Sequence, residues 1–311
     1  MTSNGEARGD RAPGPPAPML SPILALIAAV LFAWASVAQQ RVASSIPMGD
    51  VGGASLITRL VRRPLWLSGL VADGLGFVAQ AAALGIGALL IVQPLIATTF
   101  LFALAIGAVW SHAGPPAGVW VPAALLTAGL AVFLAVGEPR EGMPDGPLAR
   151  WLIAGSVVVP VVAIAVVVGA RQRGPVRALG FGGASGVLFG VMSALTKSVV
   201  DRFGDGLASA VTNWETYALI LTAALGFVLQ QAAYQAGALG LSLPAIVVLE
   251  PVTAAAIGIW VLDESLRTDG PRSVVIALSV VAMLAGLVAI ARAEARVAAV
   301  QGGPAPRTGR W

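Results

Sequence analysis

The sequence predicts an all-α polytopic membrane protein of about nine transmembrane helices, two inverted four-helix repeats joined by one linker helix. Three features of the chain carry that expectation. Of its 311 residues, 57% are apolar and only 11% are charged, whereas a soluble domain carries about 25% charge. The apolar residues gather in segments near the ~20 residues that cross a bilayer core as a helix. The two halves also echo each other. Val30-Leu31-Phe32 recurs as Val187-Leu188-Phe189, and Leu75-Gly76-Phe77 with Gln80 recurs as Leu225-Gly226-Phe227 with Gln230. Pro94 then falls on Pro244 and Trp110 on Trp260 at the same spacing as that second echo. Self-similar halves in an apolar chain are the signature of carriers built from internal repeats.

In chain order, residues 1–19 are polar and Pro-rich, which predicts a disordered extracytoplasmic tail. Apolar spans follow at 20–38, 65–84, 86–110 and 117–137, which make the first repeat (20–137). A loop and linker helix occupy 138–177, with an apolar run at 150–169. The second repeat (178–292) holds spans at 178–200, 215–236, 240–262 and 272–292, and residues 293–311 form a cytoplasmic tail. The stretch 42–63 carries Asp50, Arg59, Arg62 and Arg63 and reads as an interfacial loop or short surface helix, a tenth span being the weaker alternative. Ser36-Val37-Ala38 resembles a signal-peptidase site. Cleavage there would strand Arg41, Arg59, Arg62 and Arg63 on the wrong side, so the first span is read as retained.

With nine spans, Arg41, Arg59, Arg62, Arg63, Arg171, Arg173, Arg177, Arg292, Arg296, Arg307 and Arg310 share one side, opposed only by Asp50 and Glu294. The other side holds Glu138, Glu141, Asp145, Asp201, Asp205, Asp263, Glu264 and Asp269. The positive-inside bias makes the arginine-rich side cytoplasmic, the N-terminus external and the C-terminus internal. Span one then runs inward and its echo, span six, outward. The repeats are inverted, and such repeats place a substrate site near the midplane where they meet.

Composition also excludes. There is no cysteine, and His112 is the single histidine, so thiolate and multi-histidine metal sites and most catalytic triads are out of reach. No nucleophile–base pair or phosphate-binding loop is recognisable, so neither enzymatic chemistry nor direct ATP drive is expected. No cofactor is implied, and a metal site is left undecided. The basic residues sit in short loops, which argues against nucleic-acid binding. Eighteen arginines against one lysine, with abundant alanine, fit a GC-rich bacterial genome and hence a bacterial plasma-membrane location.

Ionisable groups within spans cost about 2.5–3.5 kcal/mol each at the centre on insertion scales, which singles out Glu250 and Asp73. Glu250 precedes Pro251, whose missing N–H frees a carbonyl one turn earlier. That pair suits a cation, a protonatable relay or a substrate amine, unless the glutamate is structural. Asp73, among Gly69, Gly74 and Gly76, is a proton-exchanging group or a packing contact. Gln80 and Gln230 hold equivalent places in the two halves and offer donors and acceptors to a polar solute, or glue between helices. Gln231, Tyr234 and Gln235 extend that polar face, as Gln93, Thr98 and Thr99 do in span three. Pro94 and Pro244, like Pro251, are candidate helix breaks. Gly182, Gly186 and Gly190 form a ladder on one helix face, which predicts close helix packing. Lys197 is read as snorkelling to the interface, with pairing to a carboxylate as the sharper alternative. Trp214 and Glu215 read as interfacial and solvated, Asp263-Glu264 as helix-end chemistry, and His112 is given no role.

The runs Ala238-Leu239-Gly240-Leu241-Ser242-Leu243-Pro244-Ala245, Leu249-Glu250-Pro251-Val252 and Leu262-Asp263-Glu264 resemble the last repeat of EamA-type members of the drug/metabolite transporter superfamily. There an Ala-Leu, a Leu-Glu-Pro and a terminal Gly-Glu or Asp-Glu recur in this order. The resemblance covers residues 20–292. The nine-span plan, the arginine-rich loop, Leu65-Trp66 and Gly69-Leu70 are similar to the NIPA-type magnesium transporter branch. The Glu of that branch's Gly-Glu-x-x-Asn motif falls on Phe77 and its Asn on Gln80, with Asp73 one turn earlier. Mg²⁺ prefers carboxylates and water. The resemblance implies a secondary transporter of small solutes, metabolites or drugs, working by alternating access, and the carboxylates Asp73 and Glu250 themselves suggest coupling to protons. A NIPA-like magnesium or divalent-cation transporter is the alternative, and a non-transporting scaffold a third. The partners so implied are the lipid bilayer and a small-molecule or cation substrate. A homodimer is left open.

Overall fold

In the computed structural model, described over residues 19–46, 58–111, 117–143, 145–204, 206–236 and 239–301, the chain is helical, with no strand among the described residues. The anticipated terminal tail before residue 19, residues 47–57 and His112 lie outside the described residues; residues 58–60 are helical. The helices are α1 (Leu20–Ala43), α2 (Pro64–Gly85), α3 (Leu89–Ile96), α4 (Thr99–Ser111), α5 (Trp120–Gly137), α6 (Leu148–Arg171), α7 (Gly174–Gly204), α8 (Leu207–Thr212), α9 (Trp214–Gln235), α10 (Leu239–Trp260) and α11 (Arg272–Gln301). Seven helical stretches, with α3 and α4 taken together, are long and apolar enough to cross a membrane. Ala245–Trp260 and Arg272–Gly286 are apolar but shorter. Helix is the expected solution, because lipid offers no partner to an unpaired backbone N–H or C=O.

Helix ends follow the sequence. Pro64 opens α2 at its first position, where the missing N–H is no loss. Gln172 and Arg173 separate α6 from α7, and Gly174 opens α7 at φ +57°, a backbone conformation that suits glycine. The Ser36-Val37-Ala38 tripeptide lies buried inside the unbroken helix α1, so cleavage there would cut a packed element.

α1 packs along α2, and α7 along both α9 and α10; α5 packs against α11. α1 also meets α9, and α2 meets α7, so the two echoing helix pairs touch crosswise. α6 packs chiefly on α7 and exposes Leu152, Val157, Val159 and Ile164, an apolar flank of the kind lipid covers. The buried core runs from Ala25 and Val37 through Leu89, Val92 and Phe100 to Leu195, Val247 and Ile257.

The glycine ladder of α7 seats that helix on α10. A Cβ on Gly182 would lie 2.9 Å from the Ser242 carbonyl oxygen, one on Gly186 2.8 Å from that of Ile246, and one on Gly190 2.6 Å from that of Glu250. Each step of four on α7 therefore meets a step of four on α10. The expected packing face is present, and it sets the depth of Glu250.

The proline expectations fare unevenly. α3 ends two residues after Pro94, and a turn at 97–98 separates it from α4. Span three is therefore broken where a proline was expected to break it. At Pro244 and Pro251 the backbone of α10 stays helical throughout. Those two are not breaks, since one missing N–H per proline is tolerated where neighbouring helices hold the backbone.

Candidate functional site

The echoed motifs build one cavity. In the first half Phe32 of α1 lies against Gly76 of α2, where a Cβ would come within 2.8 Å of the ring. In the second half Phe189 of α7 lies against Gly226 of α9 at the same 2.8 Å. Only glycine lets these rings approach so closely. The two rings, together with Phe77 and Phe227, line a cavity of about 310 Å³.

Into this aromatic wall the chain places two carboxylates, Asp73 from α2 and Glu250 from α10, along with Gln80, Gln230, Thr99 and Ser36. Pro251 also lines it. Of the anticipated site residues, Glu250, Asp73, Gln80 and Gln230 are brought together. Gln93, Thr98 and Tyr234 are not among its lining residues. Thr98 spends its hydroxyl on the Leu95 carbonyl at 2.6 Å, because it sits in the turn that closes α3. Gln93 is fully buried in α3, and its amide has no partner among the described residues. Tyr234 lies behind the wall, fully buried, where its hydroxyl accepts a hydrogen bond from Gln230 Nε2 at 3.2 Å and sits beside Ser36.

The equivalence of Gln80 and Gln230 extends to their neighbours. Gln80 Nε2 donates to Ser193 Oγ of α7 at 3.0 Å; Ser193 stands one turn beyond Phe189 as Ser36 stands one turn beyond Phe32. Gln230 instead donates to Tyr234 of its own helix, and it is Tyr234 that sits beside Ser36. The carboxylates break this symmetry. Position 223, the counterpart of Asp73, is an alanine, and it too lines the cavity.

Asp73 is the end of a directed hydrogen-bond chain. Trp66 Nε1 donates to Gln231 Oε1 at 3.1 Å, Gln231 Nε2 donates to Gln39 Oε1 at 2.5 Å, and Gln39 Nε2 donates to Asp73 Oδ2 at 2.5 Å. An indole N–H is donor only, so Trp66 orients both amides and obliges Asp73 to accept. Trp66, Gln39 and Gln231 are each no more than 1% exposed. Gln231 was marked only as part of a polar face. Gln39 carries no signal in the sequence beyond being an amide in an apolar helix.

A second polar centre sits among the ends of α3, α7 and α10. Glu264 accepts from the backbone N–H of Leu89 at 2.8 Å and of Leu90 at 3.0 Å, and from Lys197 Nζ at 2.9 Å. Lys197 donates also to the Gly87 carbonyl at 3.3 Å. The Glu264 side chain is 0% exposed and that of Lys197 is 7% exposed. One sequence reading is corrected here. Lys197 does not snorkel; it pairs with a carboxylate, the sharper alternative. Glu264 is helix-end chemistry, at the N-terminus of α3, where its carboxylate satisfies two orphan donors and complements the helix dipole.

Glu215 is corrected as well. It is 2% exposed and bridged by Arg202 at 3.1 Å, with Arg202 also paired to Asp145. An arginine from the end of α7 draws it inward, which a position next to Trp214 does not disclose. Burial pushes the Asp145 carboxyl above its usual range, against the pull of Arg202. In the loops beyond, Arg140 pairs its backbone with Ser265. Arg267 and Arg272 each donate to Glu138 at 3.0 Å and hold its carboxyl below the usual range. Trp110 stacks on Trp34, with centroids 5.2 Å apart. Its counterpart Trp260 is half exposed, so that echo is not matched in packing.

No family model and no solved structure matches the chain. A protein of Corynebacterium glutamicum described as uncharacterized is 31% identical over 275 residues, 88% of this chain and 95% of that protein. Over that extent, the chain belongs to one family with the uncharacterized protein of Corynebacterium glutamicum.

Proposed function

We propose that this protein is a secondary carrier that moves a small organic solute across the bacterial plasma membrane by alternating access. The observation that carries the reading is the cavity where the echoing helix pairs meet, holding Asp73 and Glu250 within an aromatic wall. Carboxylates kept inside apolar helices mark solute or proton pathways, and about 310 Å³ lies in the size range of small-molecule sites. Nine spans in two inverted repeats, an external N-terminus and an internal C-terminus complete the reading, in keeping with the resemblance to the drug/metabolite transporter superfamily. Rocking of one repeat on the other would then expose the cavity to each side in turn.

The test is transport in proteoliposomes under an imposed proton gradient, with a pH-sensitive dye inside. Solutes and Mg²⁺ are added in turn to wild type and to Glu250→Gln. Solute-triggered proton flux that Glu250→Gln abolishes supports a proton-coupled carrier. Mg²⁺ accumulation without proton movement favours the divalent-cation alternative. If nothing on the panel moves, the carrier reading falls.

A further inference from the structure

Resting on the carrier reading, we propose that the cavity takes a protonated primary or secondary amine with an apolar body, and selects it by its N–H groups as well as its charge. The wall's unused hydrogen-bonding capacity lies in its acceptors. Gln80 donates through its amide nitrogen to Ser193 and is hydrogen-bonded to Glu250, and the Gln230 amide nitrogen donates to Tyr234, so both nitrogens have partners. Among the described residues the carbonyl oxygens of both side chains have no partner, nor has the Thr99 hydroxyl. These three lining residues are between 1% and 8% exposed. An acceptor buried without a donor is unfavourable, so a ligand that brings N–H donors gains affinity by pairing these oxygens.

Charge points the same way. Asp73 and Glu250 line the cavity, and among the described residues lining it none is arginine, lysine or histidine. An anion would find no countercharge there. A zwitterionic amino acid would have its ammonium accepted and its carboxylate left unmatched. The four phenylalanines supply faces that attract a cation and surface that an apolar body covers. Asp73 is also held as an acceptor by the Trp66–Gln231–Gln39 chain, so it cannot turn a donor toward an anion through that oxygen. A quaternary ammonium has the charge and the body but no N–H; it leaves the Gln80 and Gln230 oxygens as they were. That contrast separates selection by hydrogen bond from selection by charge alone.

The experiment is isothermal titration of the detergent-purified full chain at neutral pH with four probes of matched body. They are 2-phenylethylamine, its N,N,N-trimethyl analogue, 2-phenylethanol and phenylalanine. The amine is expected to bind at least 10-fold tighter than each of the other three, and Gln80→Leu and Asp73→Asn to weaken it at least 10-fold. Because these variants can fold poorly, the wild-type ranking decides. Equal binding of the quaternary analogue overturns the hydrogen-bond selection, equal binding of phenylalanine or the alcohol overturns the cationic class, and no binding of the amine overturns both. Proteoliposome flux separates this from the carrier reading. Phenylalanine that is transported while the amine fails to bind leaves a carrier of another class. An amine that binds with no probe transported keeps the site and removes the carrier.

Discussion

Replacing Lys197 by methionine keeps the length of the side chain and removes its charge from a site where the pairing carboxylate is 0% exposed. Glu264 then retains two of its three donors, the Leu89 and Leu90 amides, and its charge is left under-compensated. Removing one member of a buried pair costs about 3–5 kcal/mol; the two surviving amides place Lys197→Met near the lower figure, about 3 kcal/mol. Glu264→Gln strands the ammonium and spoils the cap of α3, for a similar loss of about 3 kcal/mol. The double variant buries neither charge, so its cost falls short of the sum of the two, with a coupling of about 2–3 kcal/mol. The assay is the unfolding midpoint in detergent by tryptophan fluorescence, where about 2 °C per kcal/mol predicts a drop near 6 °C for each single variant. The double variant should fall by much less than 12 °C. A Lys197→Met protein whose midpoint moves by less than a degree, or a strictly additive double variant, would refute the reasoning, because it would mean the pair is solvated and uncoupled.

Gly186→Ala should destabilise by about 1–3 kcal/mol, because its Cβ meets the Ile246 backbone at 2.8 Å and backbone gives way poorly. Gly74→Ala is the control: beyond its chain neighbours and its own helix backbone nothing lies within 4 Å of its Cβ, and alanine favours helix, so the midpoint should hold or rise slightly. Trp66→Phe removes the donor that orients the chain to Asp73, so solute binding should fall several-fold while size-exclusion behaviour is unchanged; unaltered binding counts against the chain. Glu138→Gln removes a carboxyl held below the usual range by Arg267 and Arg272. A depressed folded pKa gives stability that is present above the unfolded value, about 4.3, and lost as pH falls through the folded one. The wild-type advantage in midpoint should therefore be present at neutral pH and vanish in acid; a gap that persists at low pH contradicts the ion-pair account.

Much of the architecture is legible in one dimension. Helices in an apolar chain follow from the demand that every backbone polar group find its partner within the segment, so the apolar runs at 20–38 and 150–169 mark α1 and α6 directly. The echoed VLF and LGF motifs announce the cavity wall as well, since a phenylalanine and a glycine repeated together mean that a ring and a gap repeat. The cost of a charge in lipid marks Asp73 and Glu250 for the same reason.

What sequence position does not carry is partnership. Glu264 follows a helix, and nothing local tells it from a solvated end; it becomes the cap of α3 because the fold returns it to Leu89, 175 residues away. Gln39 looks like any amide in an apolar helix until Gln231, 192 residues on, fixes which way it points. Gln93 shows the converse, a polar residue in the right span that is buried without lining the cavity. Composition and period report the energy of a residue against lipid, a property of the residue alone. A hydrogen bond or ion pair is a property of two groups and the few ångströms between them, and those distances exist only once the helices have packed.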